Sequence, residues 1–251
     1  MAGRRLGQHF LTRRSILEQI AAAATPYPDQ PVLEVGPGKG ALTEHLIHRV
    51  TRVHAVELDQ VLVHYLQERF RNEPKFSVEH GDVLKTDLSQ FGPVQVAGNL
   101  PYYITSPILE RVLRLGPDLL HAVFLVQKEV AERIAAAPGS RDYGYLSVQV
   151  QIYAEPKYLL TVPPDAFRPP PKVESAVIEL RPRAEPLTPD PQGLVQFASL
   201  CFRQKRKMLR NNLAGSFPAE AIDAQPEARL RAEQLSVPQF ADLRDRILKF
   251  R

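Results

Sequence analysis

"PVLEVGPGKGALTEHLIHRV", residues 31–50, is the stretch that decides the fold. A short apolar run ends at Gly36, three glycines follow at alternate positions, and the text then takes helical spacing at Leu42, Leu46, Ile47 and Val50. That is a strand, a tight turn and a helix. The unit repeats downstream. "RVHAVEL" (52–58) reads as a strand and "QVLVHYLQERF" (60–70) as a helix. "FSVEHGD" (76–82) and "VQVAGN" (94–99) read as strands, and "SPILERVLRL" (106–115) as a helix opened by Ser-Pro. "HAVFLVQ" (121–127) is a further strand, followed by the helix "KEVAERIAAA" (128–137). Regular β-α alternation predicts a parallel sheet covered by helices on both faces.

The pattern changes beyond residue 140. "YLLTVPPDAFRPPPKVESAVIELRP" (158–182) reads as strand, proline-rich loop and strand, with no helix between. So short a connection predicts an antiparallel hairpin at a sheet edge. "RAEPLTPDPQG" (183–193) has the composition of a linker, and from residue 194 the text is helical, beginning with "LVQFASLCFRQKRKMLRNNL" (194–213). The expected organisation is an α/β domain over 1–182 and a small helical domain over 183–251.

Composition narrows the function classes. Lys and Arg exceed Asp and Glu by 32 to 28, a net +4, and the excess is unevenly spread. Arg4, Arg5, Arg13 and Arg14 fall in an acid-free start, and "RQKRKMLR" (203–210) carries Arg203, Lys205, Arg206, Lys207 and Arg210 with no acid. Two such clusters point to a polyanionic partner. The single cysteine, Cys201, excludes an internal disulfide and fits a reducing cytoplasm, where it reads as a small core residue. No apolar run has the length of a membrane helix, and the N-terminal text lacks the apolar core of a secretory leader. His45 and His48 stand three apart without other metal-ligating neighbours, so no metal is expected.

The chemistry gathers at the strand ends. Gly36, Gly38 and Gly40 form G-x-G-x-G, which is neither a P-loop nor the longer dinucleotide pattern. Glu57 ends the second strand, where a carboxylate can hold a ribose diol. Asp82 ends the third and can accept from an adenine amino group. Asn99 ends the fourth, and Asp59 is the better helix cap, which leaves Glu57 for a ligand. Ligands of an open α/β sheet bind along this edge.

These residues together resemble S-adenosylmethionine-dependent methyltransferases. The resemblance implies a Rossmann-like, seven-stranded sheet with an antiparallel last strand and S-adenosylmethionine as cofactor. "NLPY" (99–102) resembles the motif of enzymes that methylate exocyclic base nitrogens, with Leu100 where that motif has proline. The residue types suit the task, because an adenine amine is a poor nucleophile until its lone pair is freed from the ring. The Asn99 oxygen and the Leu100 carbonyl can accept its two hydrogens, Pro101 holds Leu100 extended, and Tyr102 can stack on the base.

A narrower resemblance spans nearly the whole chain. "GQHFL" (7–11), "NLPYYITSPIL" (99–109), "QKEVAERI" (127–134), "YGYLSV" (143–148), "FRPPPKVESAV" (167–177) and "FRQKRKMLRNNL" (202–213) are similar to the 16S ribosomal RNA adenine N6,N6-dimethyltransferases. The resemblance implies that His9 and Leu11 lie over the cofactor, and that Phe167 packs on the target base opposite Tyr102. It also implies the substrate: two adjacent adenosines in a hairpin near the 3′ end of 16S rRNA, within an immature small subunit. The related 23S rRNA dimethyltransferases share the cofactor edge, but the basic segment at 202–213 favours the small-subunit branch. A non-catalytic RNA-binding assembly factor and a DNA adenine methyltransferase are the other readings. The first has no need of Asn99, Glu57 and Asp82, and the second would more often carry a separate base-reading domain.

Overall fold

A computed structural model describes residues 9–250, so Arg4 and Arg5 lie outside the described residues. The described strands are β1 (Phe10–Leu11), β2 (Val32–Val35), β3 (Val53–Glu57), β4 (Phe76–His80), β5 (Val94–Asn99), β6 (Leu119–Gln127), β7 (Ala154–Val162), β8 (Phe167–Arg168) and β9 (Ser175–Pro182). The helices are α1 (Arg14–Ala24), α2 (Ala41–Ile47), α3 (Gln60–Arg69), α4 (Thr105–Leu113), α5 (Lys128–Ala135), α6 (Tyr145–Gln151), α7 (Pro191–Cys201), α8 (Leu209–Leu213), α9 (Ala219–Asp223) and α10 (Val237–Lys249).

Seven strands form one sheet in the order β4-β3-β2-β5-β6-β9-β7. Every pairing from β4 through β6 is parallel, while β9 runs antiparallel to β6. This is the Rossmann-like methyltransferase sheet expected from the sequence. Strands β2, β5 and β6 are buried along nearly their whole length because helices cover both faces. The order reverses beside β2, which opens a crevice at the C-terminal ends of β2, β3, β4 and β5.

The chain divides into two compact units, Met1–Ala131 with Lys157–Pro182, and Glu132–Pro156 with Arg183–Arg251. One crossing falls between Pro182 and Arg183. The second unit also takes Glu132–Pro156, which patterning had assigned to the first domain. The first unit's core includes Ile20, Val32, Leu46, Val123, Phe167 and Val177. The second unit has its own, around Tyr143, Leu194, Phe197, Leu209, Phe240 and Ile247. Among the described residues no helix is long and apolar enough to cross a membrane.

Several elements depart from the sequence expectation. Helix α1 precedes the first repeating unit and was unassigned, although buried Ile16, Leu17, Ile20, Ala21 and Ala24 mark one helical face. Strands β1 and β8 pair as a two-residue ribbon, Phe10 with Arg168 and Leu11 with Phe167, too short to leave a period. The helical run expected over 194–213 breaks after Cys201 and resumes at Leu209. Its cause is Asn212, buried beneath the loop. The Asn212 amide donates to the Cys201 carbonyl at 2.6 Å and to that of Gln204 at 3.2 Å, and its oxygen accepts from the Gln204 N–H at 3.1 Å. A buried carboxamide satisfied by the loop backbone outweighs continued helix across a run of cations. Cys201 is buried in the second unit's core, which pushes its thiol pKa up.

Candidate active site

The turn after β2 carries three left-handed glycines, Gly36, Gly38 and Gly40, at φ 66°, 60° and 78°. Gly38 shows why the position excludes a side chain. Its φ is unfavourable for any other residue, and an added Cβ would stand 3.0 Å from the Phe10 ring. The turn places the Gly38 N–H 3.0 Å from Glu57 Oε2. Glu57 Oε1 accepts from the Asp59 N–H at 3.0 Å, and Asp59 Oδ1 caps α3 through the Val61 N–H at 2.8 Å. Glu57 is therefore a buried carboxylate whose oxygens are each oriented by one amide, with further lone pairs left over.

Beyond β4, Asp82 Oδ1 accepts from the Leu84 N–H at 3.0 Å and the carboxylate faces the same cavity. At the tip of β5 the Asn99 amide nitrogen donates to the His9 carbonyl at 3.1 Å. That bond assigns the orientation of the carboxamide, leaving Oδ1 as an acceptor with no partner among the described residues. Leu100 is buried and its N–H is bound to the Leu125 carbonyl at 3.0 Å. Its own carbonyl leads into Pro101, whose φ of −59° and ψ of 129° start the turn that carries Tyr102. The Tyr102 hydroxyl shares a 2.6 Å hydrogen bond with Ser175, and desolvation pushes its pKa up, so it stays a neutral phenol. The His9 ring stacks beside it, and its Nδ1 donates to the Pro169 carbonyl at 2.8 Å.

His9, Glu57, Asp82, Asn99, Leu100, Pro101 and Tyr102 line one cavity of about 250 Å³, together with Leu11, Gly36 and Gly38. Two of the expected site residues have partners within the protein. Phe167 does not line this cavity. It is fully enclosed in the core beside Leu11, because the β1–β8 ribbon pairs those two residues and turns the ring inward. Arg210, expected to meet RNA, is held by Asp223 in a two-pronged ion pair at 2.7 and 2.9 Å. Arg203, Lys205, Arg206 and Lys207 are exposed on the 202–208 loop.

One site residue was missed. Glu34, in the middle of β2, lines the cavity although it is 2% exposed. Burial raises its pKa to about 7, against a 2.6 Å hydrogen bond from the Thr43 hydroxyl that favours the charge, with a smaller upward push from Glu57. A lone carboxylate inside the apolar run "VLEV" was the available signal.

The family described as ribosomal RNA adenine dimethylase matches residues 2–249. The chain belongs to that family. This dimethylase is 41% identical over 245 residues to the ribosomal RNA small subunit methyltransferase A of Leptothrix cholodnii, covering 96% of this chain and 90% of the relative. It is 44% identical over 251 residues to the protein of the same name from Acidobacterium capsulatum, covering 95% and 89%. Among solved structures, a dimethyladenosine transferase from Plasmodium falciparum superposes with a TM-score of 0.83 at 26% identity, over 94% of this chain and 96% of that one. A 23S rRNA methyltransferase does so with a TM-score of 0.73 at 30% identity, over 96% and 100%. The dimethylase is thus an S-adenosylmethionine-dependent enzyme acting on ribosomal RNA. Its cavity suits that methyl donor: the Glu57 and Asp82 carboxylates line it, and carboxylates favour a cationic ligand.

Proposed function

We propose that this dimethylase converts two adjacent adenosines, in a hairpin near the 3′ end of 16S rRNA, to their N6,N6-dimethyl forms within an immature small subunit in the cytoplasm. The observation that carries the reading is the Asn99 carboxamide, whose nitrogen donates to the His9 carbonyl and whose oxygen stays free in the cavity wall. That oxygen and the Leu100 carbonyl accept the two hydrogens of the target amine. Held so, the nitrogen turns its lone pair out of the ring plane and toward the donor. S-adenosylmethionine supplies an electrophilic methyl group on a sulfonium. No strong base is needed, because the amine proton becomes acidic once the nitrogen is alkylated.

Glu57 would take the ribose diol and Asp82 the adenine amine of the methyl donor, with His9 and Leu11 covering it beside Gly36 and Gly38. Tyr102 offers its ring to the target base. In the second unit, Arg203, Lys205, Arg206 and Lys207 would contact phosphates. The relatives named for the small subunit, at 41–44% identity, support 16S over 23S rRNA. The test is incubation with labelled S-adenosylmethionine and, in parallel, immature small subunits, 23S rRNA and duplex DNA. Label in adjacent adenosines of the small subunit is expected. Label in 23S rRNA or DNA alone would reassign the substrate, and none in any would make the protein a binder.

A further inference from the structure

The glycine turn that lines the cavity is gripped from two sides by one stretch of chain. From inside, Glu57 at the end of β3 accepts from the Gly38 N–H at 3.0 Å. From outside, Arg69 at the end of α3 spreads its guanidinium over the same turn, donating to the Lys39 carbonyl and to the Glu44 carboxylate in the first turn of α2. We propose that Arg69 is a positioning residue for the methyl donor, holding the turn so that Gly38 meets the donor in the shape it already has. This rests on the reading that Gly36 and Gly38 lie beside the donor.

The turn needs an outside hold. Three left-handed glycines at alternate positions leave its backbone free to take other shapes, and no side-chain hydrogen bond caps α2, whose N-cap is Gly40. The Gly40 N–H reaches the Pro37 carbonyl at 2.9 Å, which closes the turn on itself. Arg69 ties the far end of the turn to α3. The guanidinium is itself located by rings, its centre lying 5.4 Å from the Phe70 centroid and 6.0 Å from that of Tyr65. A Cβ on Gly40 would stand 2.6 Å from the Phe70 ring, so the turn packs against the same ring that the guanidinium covers. A planar fork that serves a carbonyl and a carboxylate at once, beside a ring, is a task for arginine and not for lysine. The Glu44 carboxylate is half exposed, so that ion pair adds little by itself. The bond to the Lys39 carbonyl is the contact that bears on the donor, because a turn ordered in advance does not have to be ordered on binding.

The test measures S-adenosylhomocysteine affinity, and with immature small subunits as substrate the KM for S-adenosylmethionine, the RNA KM and kcat, in three variants. Arg69→Met keeps the apolar stem and removes both donors. It is expected to weaken S-adenosylhomocysteine about 3- to 15-fold and to raise the donor KM to match, with kcat at saturating donor and the RNA KM each within about twofold of wild type. Arg69→Lys keeps the charge without the fork and should weaken binding in the same direction, by less. Glu44→Gln breaks the ion pair and leaves the bond to the Lys39 carbonyl, so affinity should hold within about twofold. Affinity unchanged in both Arg69 variants overturns the proposal. So does an equal fall in Glu44→Gln, which would make the ion pair matter and not the grip on the turn. A kcat that falls as far as the affinity also overturns it, because the damage would then reach beyond the donor turn. If the wild-type protein binds no S-adenosylhomocysteine, the reading beneath fails instead, which the wild-type titration reports separately.

Discussion

At the strand tips, Glu57, Asp82 and Asn99 are each oriented by main-chain hydrogen bonds of 3.0–3.1 Å. On the 202–208 loop, Arg203, Lys205, Arg206 and Lys207 are exposed and carry no ion pair among the described residues; only the backbone beneath them is held, by Asn212. The proposed function accounts for the difference. Methyl transfer needs a nitrogen placed to within a fraction of an ångström, so its acceptors are held before substrate arrives. Phosphates need only opposite charge within reach of long side chains, so freedom costs little there.

The sharpest way to break that contrast is Asn99→Ala. Transfer should fall at least about 100-fold while S-adenosylhomocysteine binding changes far less. Equal losses in both assays would make Asn99 a cofactor residue rather than an acceptor for the substrate amine. Next in size is the triple change of Arg203, Lys205 and Arg206 to Gln. RNA binding should weaken by about 100-fold near 0.1 M salt, and the slope of log affinity against log salt should flatten by about 2 to 3. An unchanged slope would put the phosphate contacts elsewhere.

Gly38→Ala probes the orienting turn. The left-handed backbone there costs a non-glycine residue about 1–2 kcal/mol, so S-adenosylhomocysteine should bind about tenfold more weakly and the thermal midpoint should drop. The smallest effect belongs to Glu34. Its folded pKa of about 7 lies above the unfolded value of 4.5, so the unfolded state ionises first. Stability is then fully present below pH 4.5 and falls as pH rises toward 7, by about 1 kcal/mol between pH 5 and 6. Glu34→Gln should remove that loss, read as a flatter profile of unfolding free energy against pH.

Most of the fold was legible because period-3.6 and period-2 patterns alternate from residue 31 onward. The strand-tip residues could be placed without coordinates, since a residue at the end of a parallel strand faces the ligand edge in any such sheet. Phe167 was not, because its ring is committed by a two-residue ribbon across more than a hundred positions of chain. The Arg210–Asp223 pair was not, because the two residues lie on separate helices. Glu34 was readable as an anomaly but not as a site residue until its neighbours were known.

What the sequence determined by itself was the order of strands and helices, the glycine turn and the identity of the groups at four strand ends. Periodicity and turn chemistry are local properties, encoded within a few residues. What only the tertiary structure decided was what each functional candidate touches: Asn99 Nδ2 on the His9 carbonyl, Phe167 in the core, Arg210 beside Asp223. Availability depends on partners far away in the chain, and such partners leave no local pattern to read.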